Sequence, residues 1–143
     1  MTRLVTALVV MFAVVSLSAQ TKPAVPKAYE PLQGTWVLTG PDGQSVMGGA
    51  ELALVITGDT YAQTVNGEVN ERGGITLDPA KKPMWFDLSI KEGDDAGKTQ
   101  LGIIEVTGDT LKGALSMPGA TERPAGFDAG QSAITFVGKR KAK

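Results

Sequence analysis

Short runs in which apolar and polar residues alternate fill the chain from residue 34 onward, and glycine-rich segments separate them. Successive side chains of a β-strand point to opposite faces, so this alternation predicts strands with one apolar face. We predict eight strands: Gly34–Thr39, Glu51–Thr57, Thr60–Val65, Glu68–Leu77, Met84–Lys91, Thr99–Thr107, Thr110–Met117 and Ser132–Lys139. The residues expected on the apolar face are Leu52, Leu54, Ile56, Tyr61, Gln63, Val65, Ile75, Leu77, Met84, Phe86, Leu88, Ile90, Ile104, Val106, Leu111, Leu115, Ile134 and Phe136.

Most connections between these strands are short and have the composition of tight turns. Asn66-Gly67 is a strong hairpin signal, and the Thr-Gly-Asp-Thr of residues 57–60 recurs at residues 107–110. Hairpins make consecutive strands antiparallel, and closing such a sheet covers its apolar face and removes its exposed edges. We therefore predict an all-β fold, an eight-stranded antiparallel up-and-down barrel.

The first residues follow the three-part pattern of a cleavable secretory signal peptide, which we assign to residues 1–19. A short basic start, Met1–Arg3, precedes the apolar stretch Leu4–Val15, and the small residues of Ser16–Ala19 follow. The stretch is shorter than the roughly 20 residues that span a bilayer, so we expect no stable membrane insertion after cleavage. We expect the protein to be exported, to the periplasm or outside the cell.

The segment after the predicted cleavage site, residues 20–30, contains Pro23 and Pro26 and has no periodicity. We predict that it is a flexible lead-in. The barrel domain is then expected to span residues 31–143.

The composition excludes several kinds of function. The chain has no histidine and no cysteine, which removes Ser-His and Cys-His nucleophile pairs and ordinary zinc sites. One of its 14 basic residues, Arg3, lies in the predicted signal peptide, so the mature chain is slightly acidic, whereas nucleic-acid binding needs a basic face. The acidic turn at Asp94-Asp95 lacks the spacing of a calcium loop. We expect no enzyme activity, no catalytic residue, no metal, no cofactor and no nucleic-acid partner.

The two ends of the predicted barrel sequence carry a matching pair of residues. The first strand contains Gly34-Thr35-Trp36, and the last one leads into Arg140, which has the same parity as Ile134 and Phe136. A closed barrel brings its first and last strands together, so the arginine can stack on the indole in a favourable cation–π contact. We predict that Trp36 and Arg140 close one end of the barrel. The Gly-x-Trp and the final basic residue resemble those of lipocalin-type barrels.

Further motifs resemble an uncharacterised lipocalin-like family of exported bacterial proteins, first noted among planctomycetes. They occur in the order of that family, at Leu32–Trp36, Gly58–Tyr61, Ile75–Pro79, Pro83 with Asp87-Leu88, Gly108–Leu111 and Arg123–Phe127. Met84-Trp85 departs from the family's basic start of the fifth strand. The resemblance implies a lipocalin-like barrel and export, and it supplies no activity.

Six residues of the predicted apolar face are candidates for contacting a ligand: Tyr61, Gln63, Phe86, Leu88, Ile104 and Phe136. The alternative is that they form a satisfied core, since an eight-stranded barrel either fills with its own side chains or holds one small ligand. The long connection Pro118–Gln131 either caps a barrel mouth, with Phe127 tucked in and Arg123 bridging strands, or is a structural clasp.

Two functions remain open after these exclusions. The first is an exported, non-enzymatic binding module for a small apolar or amphipathic molecule. The second is a filled barrel that acts through its outer surface as an envelope or extracellular protein-interaction domain. The second rests on Trp85, which the alternation places on the polar face.

Overall fold

The computed structural model describes residues 24–128 and 132–142 of the 143-residue chain. The predicted signal peptide, residues 1–19, lies outside these residues. A short 3₁₀ helix, Lys27–Leu32, precedes the strands. The strands are β1 (Gly34–Thr39), β2 (Leu52–Thr57), β3 (Thr60–Val65), β4 (Glu68–Asp78), β5 (Met84–Glu92), β6 (Thr99–Gln100), β7 (Gly102–Thr107), β8 (Thr110–Ser116) and β9 (Ala133–Arg140). In the described part of the chain, no helix has the length and apolarity needed to cross a membrane.

The strands form one closed antiparallel sheet. Consecutive strands are paired except β6 and β7, and β9 returns to pair with β1, with Trp36 opposite Arg140. β6 and β7 both pair with β5 and together make one strand of the barrel. The predicted eight-stranded up-and-down barrel is confirmed.

The strand predicted at Thr99–Thr107 is interrupted at Leu101. There the backbone N–H of Leu101 donates to Ser116 Oγ at 2.9 Å, and that of Gly102 donates to Asp87 Oδ1 at 3.2 Å. The two side chains satisfy backbone donors that would otherwise need partners within the sheet. The sheet therefore breaks without leaving these polar groups unpaired.

The predicted inward face forms the core. Trp36 and Phe86 are fully buried, and Ile104 is 1% exposed. Gly113 lies opposite Phe136 in the sheet, and a Cβ at this glycine would lie 2.4 Å from the Phe136 ring. Because Gly113 has no side chain, the Phe136 ring can extend across the barrel interior. Small and large residues on neighbouring strands fill the interior of a small barrel in this way.

The 3₁₀ helix closes one end of the barrel. Leu32 is fully buried, the Tyr29 hydroxyl donates to the Ile75 carbonyl at 3.2 Å, and the Gln33 amide nitrogen donates to the Gly58 carbonyl at 2.9 Å. The helix includes residues 27–30, which were predicted to be part of the flexible lead-in. Tyr29, in this segment, forms a hydrogen bond with the barrel. Packing against the barrel therefore extends back beyond Pro31.

The described part of the connection after β8, residues 117–128, includes a segment that lies against the outer wall of the barrel. Arg123 reaches Asp87 on β5, and the Lys112 Nζ lies 4.6 Å from the centre of the Phe127 ring. Ile103 and Ala114 point outward in this region and are nonetheless 3% and 0% exposed. Residues 123–127 thus act as a clasp on the wall, and the suggestion that this segment caps the barrel mouth is wrong for them.

Candidate functional site at the open end of the barrel

The end of the barrel beside the 3₁₀ helix, here called the closed end, is filled by Trp36. Its indole N–H donates to the Leu32 carbonyl at 2.7 Å, and the Arg140 guanidinium carbon lies 4.2 Å from the centre of the ring. Arg140 also donates to Asp109 Oδ1 at 2.9 Å and to the Pro31 carbonyl at 2.7 Å. Several partners therefore hold the Arg140 guanidinium in place. Trp36 and Arg140 lie together, as predicted, and close this end of the barrel.

The opposite end, here called the open end, contains a cavity of about 380 Å³. Its walls are formed mainly by apolar side chains, namely Leu38, Leu52, Leu54, Leu88, Leu115 and Phe136. Four polar side chains also line it: Gln63, Glu71, Asp95 and Gln100. Small-molecule sites typically measure roughly 300–1,000 Å³ and combine apolar walls with a few polar groups, so the cavity has room for a small ligand.

The six candidate residues divide between the two halves of the barrel. Gln63, Leu88 and Phe136 line the cavity. Tyr61, Phe86 and Ile104 do not line it; they belong to the packed core, where each is at most 3% exposed. The core is therefore packed around Tyr61, Phe86 and Ile104, and Gln63, Leu88 and Phe136 form part of the cavity wall at the open end.

The rim of the cavity is apolar and exposed to solvent. Val46, Met47, Met117 and Ile134 line the cavity and are between 38% and 52% exposed. Grouped exposed apolar residues are unusual on a monomer surface and mark interaction sites, and methionine adapts its shape to different partners. The mouth of the cavity is thus surrounded by exposed apolar side chains.

Hydrogen bonds hold the polar groups of the cavity in place. The Tyr61 hydroxyl donates to Glu71 Oε1 at 2.7 Å, and the Gln100 amide nitrogen donates to the Ser116 carbonyl at 3.1 Å. Among the described residues, every buried side-chain nitrogen and oxygen has a partner. The cavity therefore presents fixed polar groups on an otherwise apolar wall.

Sequence reasoning missed Glu71 and Gln100 as residues of the cavity. The alternation contains this information. Glu71 lies four residues before Ile75 in β4, and Gln100 lies four residues before Ile104 across the break, so each is expected on the inward face. A search for apolar residues at alternate positions does not select them, because both side chains are polar. Alternation alone places them inside.

Tyr61 gives a testable pH dependence. Burial raises the pKa of Tyr61, and so do the hydrogen bond to Glu71 and the negative charge of the Glu71 carboxylate. The unfolded phenol ionises near pH 10, while the folded phenol stays neutral, so this contribution to stability is complete below that pH and is lost above it. We expect the free energy of unfolding to fall above about pH 10, by up to about 1.4 kcal/mol per pH unit from this group.

Chemical denaturation across this alkaline range checks the expectation. Tyr61→Phe should remove this part of the pH dependence, whereas Tyr29→Phe, which removes the chain's other tyrosine, should retain it. Equal slopes for the wild type and Tyr61→Phe would contradict the assignment.

The described residues include no cluster of three metal-binding side chains, and Asp95 of the acidic turn pairs with Lys98 at 2.8 Å. No family model, curated protein or solved structure matches the chain. The resemblance to the lipocalin-like family therefore rests on the sequence motifs alone, and the cavity is the feature that bears on function.

Proposed function

We propose that this protein is an exported, non-enzymatic binding module that holds a small apolar or amphipathic molecule at the open end of its barrel. The cavity of about 380 Å³ carries the proposal, because it combines leucine-rich walls, fixed polar groups and an exposed apolar rim. The pattern of residues 1–19 and the resemblance to exported lipocalin-like proteins support export.

The test is a titration with a neutral dye that fluoresces in apolar surroundings, N-phenylnaphthylamine, followed by competition with decanol. We expect saturable dye binding and its displacement by the alcohol. Leu115→Trp places a large ring at the partly exposed cavity wall and should weaken dye binding at least about tenfold, equivalent to about 1.4 kcal/mol.

Val55→Trp is the matched control, since Val55 lies between two inward residues of β2 and therefore points outward. It adds the same ring to the outer wall and should leave dye binding unchanged. A wild-type protein that binds neither dye nor alcohol would refute the proposal. Normal binding by Leu115→Trp would place the site elsewhere.

The alternative function, a protein-interaction domain, rested on Trp85. This side chain is 37% exposed, on the outer wall, and the Arg123 guanidinium carbon and the Lys81 Nζ lie 4.0 and 4.8 Å from the centre of its ring. Its position is accounted for by contacts within the chain, so its exposure alone does not call for a partner. The cavity favours the first function.

A further inference from the structure

The charged side chains that line the cavity have one sign. Among the side chains that line the cavity, Glu71 and Asp95 are acidic, and none is lysine or arginine. The charge of Asp95 is offset by Lys98, whose Nζ lies 2.8 Å from Asp95 Oδ1. Glu71 is therefore the main source of net charge at the cavity.

Glu71 has no cationic partner among the described residues. Its Oε1 accepts the Tyr61 hydroxyl, and no described donor reaches Oε2. The neighbouring Arg72 forms an ion pair with Glu92 at 3.6 Å. Gln63 lies opposite Glu71 in the sheet, and its amide nitrogen is directed to Asn70 at 3.3 Å. Oε2 of Glu71 can thus accept a hydrogen bond from a ligand or form an ion pair with a cationic group.

We propose that the cavity selects amphiphiles with a cationic headgroup, such as alkylammonium compounds, over those with an anionic headgroup. The apolar part lies against the leucine wall, and the positive group lies beside Glu71. An anionic headgroup in the same position meets a like charge and no lining basic residue. Specificity then arises as much from repulsion of the wrong ligand as from attraction of the right one. This inference rests on the proposed function.

Three probes with the same decyl tail test it: decyltrimethylammonium, decanoate and decanol. Each is used below its micelle concentration to displace N-phenylnaphthylamine from the wild-type protein at low ionic strength. We expect the cation to bind about tenfold more tightly than the carboxylate, with the alcohol between them. The difference should shrink at high salt, because ions screen charges at a partly exposed site.

Glu71→Gln removes the charge and keeps an oxygen that accepts the Tyr61 hydroxyl. It should abolish the preference between cation and carboxylate. Glu30→Gln is the control, since Glu30 is exposed on the 3₁₀ helix at the closed end, and its loss changes the net charge equally. That variant should keep the preference.

The outcomes separate this inference from the function on which it rests. If no probe displaces the dye and the dye itself does not bind, the binding function fails. If all three probes bind the wild type alike, or decanoate binds best, the charge selection is overturned and the binding function stands. Survival of the preference in Glu71→Gln also overturns it. Should that variant not fold, the wild-type comparison of the three probes decides.

Discussion

Trp36→Ala is expected to lower the free energy of unfolding by about 3–5 kcal/mol, the range for removing a large aromatic side chain from a packed core. The indole is fully buried, and its N–H donates to the Leu32 carbonyl. Its removal opens a void at the closed end and leaves the Arg140 guanidinium without the ring on which it stacks. Domains of this size are typically stable by only about 5–15 kcal/mol, so the variant should be close to unfolding.

The chain provides its own control in its second tryptophan. Trp85 is 37% exposed on the outer wall, so Trp85→Ala removes the same group at a much smaller cost, about 1 kcal/mol. Guanidinium denaturation followed by circular dichroism compares the two variants without relying on tryptophan fluorescence. Equal destabilisation by the two changes would show that the closed end does not carry the stability assigned to it.

The second large effect is expected at the clasp on the outer wall. The Arg123 Nη2 donates to Asp87 Oδ2 at 3.0 Å, and its Nη1 donates to Asp87 Oδ1 and to the Gly102 carbonyl. The two side chains are 17% and 24% exposed, so solvent screens the pair only partly. Breaking a fully buried pair costs about 3–5 kcal/mol, and we expect about 2 kcal/mol for Arg123→Met here.

A double-mutant cycle measures this coupling. Arg123→Met and Asp87→Asn should each destabilise the barrel, and the double variant should cost at least about 1 kcal/mol less than the sum, because each change removes the same contact. The pair of Lys112 and Glu105, 3.1 Å apart and about half exposed, is the matched surface control. Its coupling should be about 0.5 kcal/mol or less, and additive costs at the Arg123 pair would refute the clasp.

The alternation of residues predicted the strands and their inward faces because a strand has a simple period of two. Closure of the sheet into a barrel could be predicted from the same pattern, because an apolar sheet face has to be covered. The break at Leu101 could not be predicted in this way, because it depends on Ser116 and Asp87, which lie about 15 residues away in either direction along the chain. The 3₁₀ helix was also missed, since a six-residue helix that contains Pro31 is too short to show a repeating pattern.

The candidate site was predicted only in part. Three of the six proposed residues line the cavity, and the other three are packed beneath it. Parity places a side chain inside the barrel without giving its height along the axis or the space around it. That space depends on how side chains from different strands meet, as when the Phe136 ring lies over Gly113.

The contrast between the packed closed end and the exposed rim of the open end has a consequence for how the two regions tolerate substitution. Mutations near Trp36 are constrained by folding, whereas side chains at the rim, such as Met47 and Met117, are 46% and 52% exposed and contribute little to the core. Changes at such exposed positions usually cost less than about 0.5 kcal/mol. Substitutions at the rim should therefore leave the barrel intact, whereas substitutions at the closed end should not.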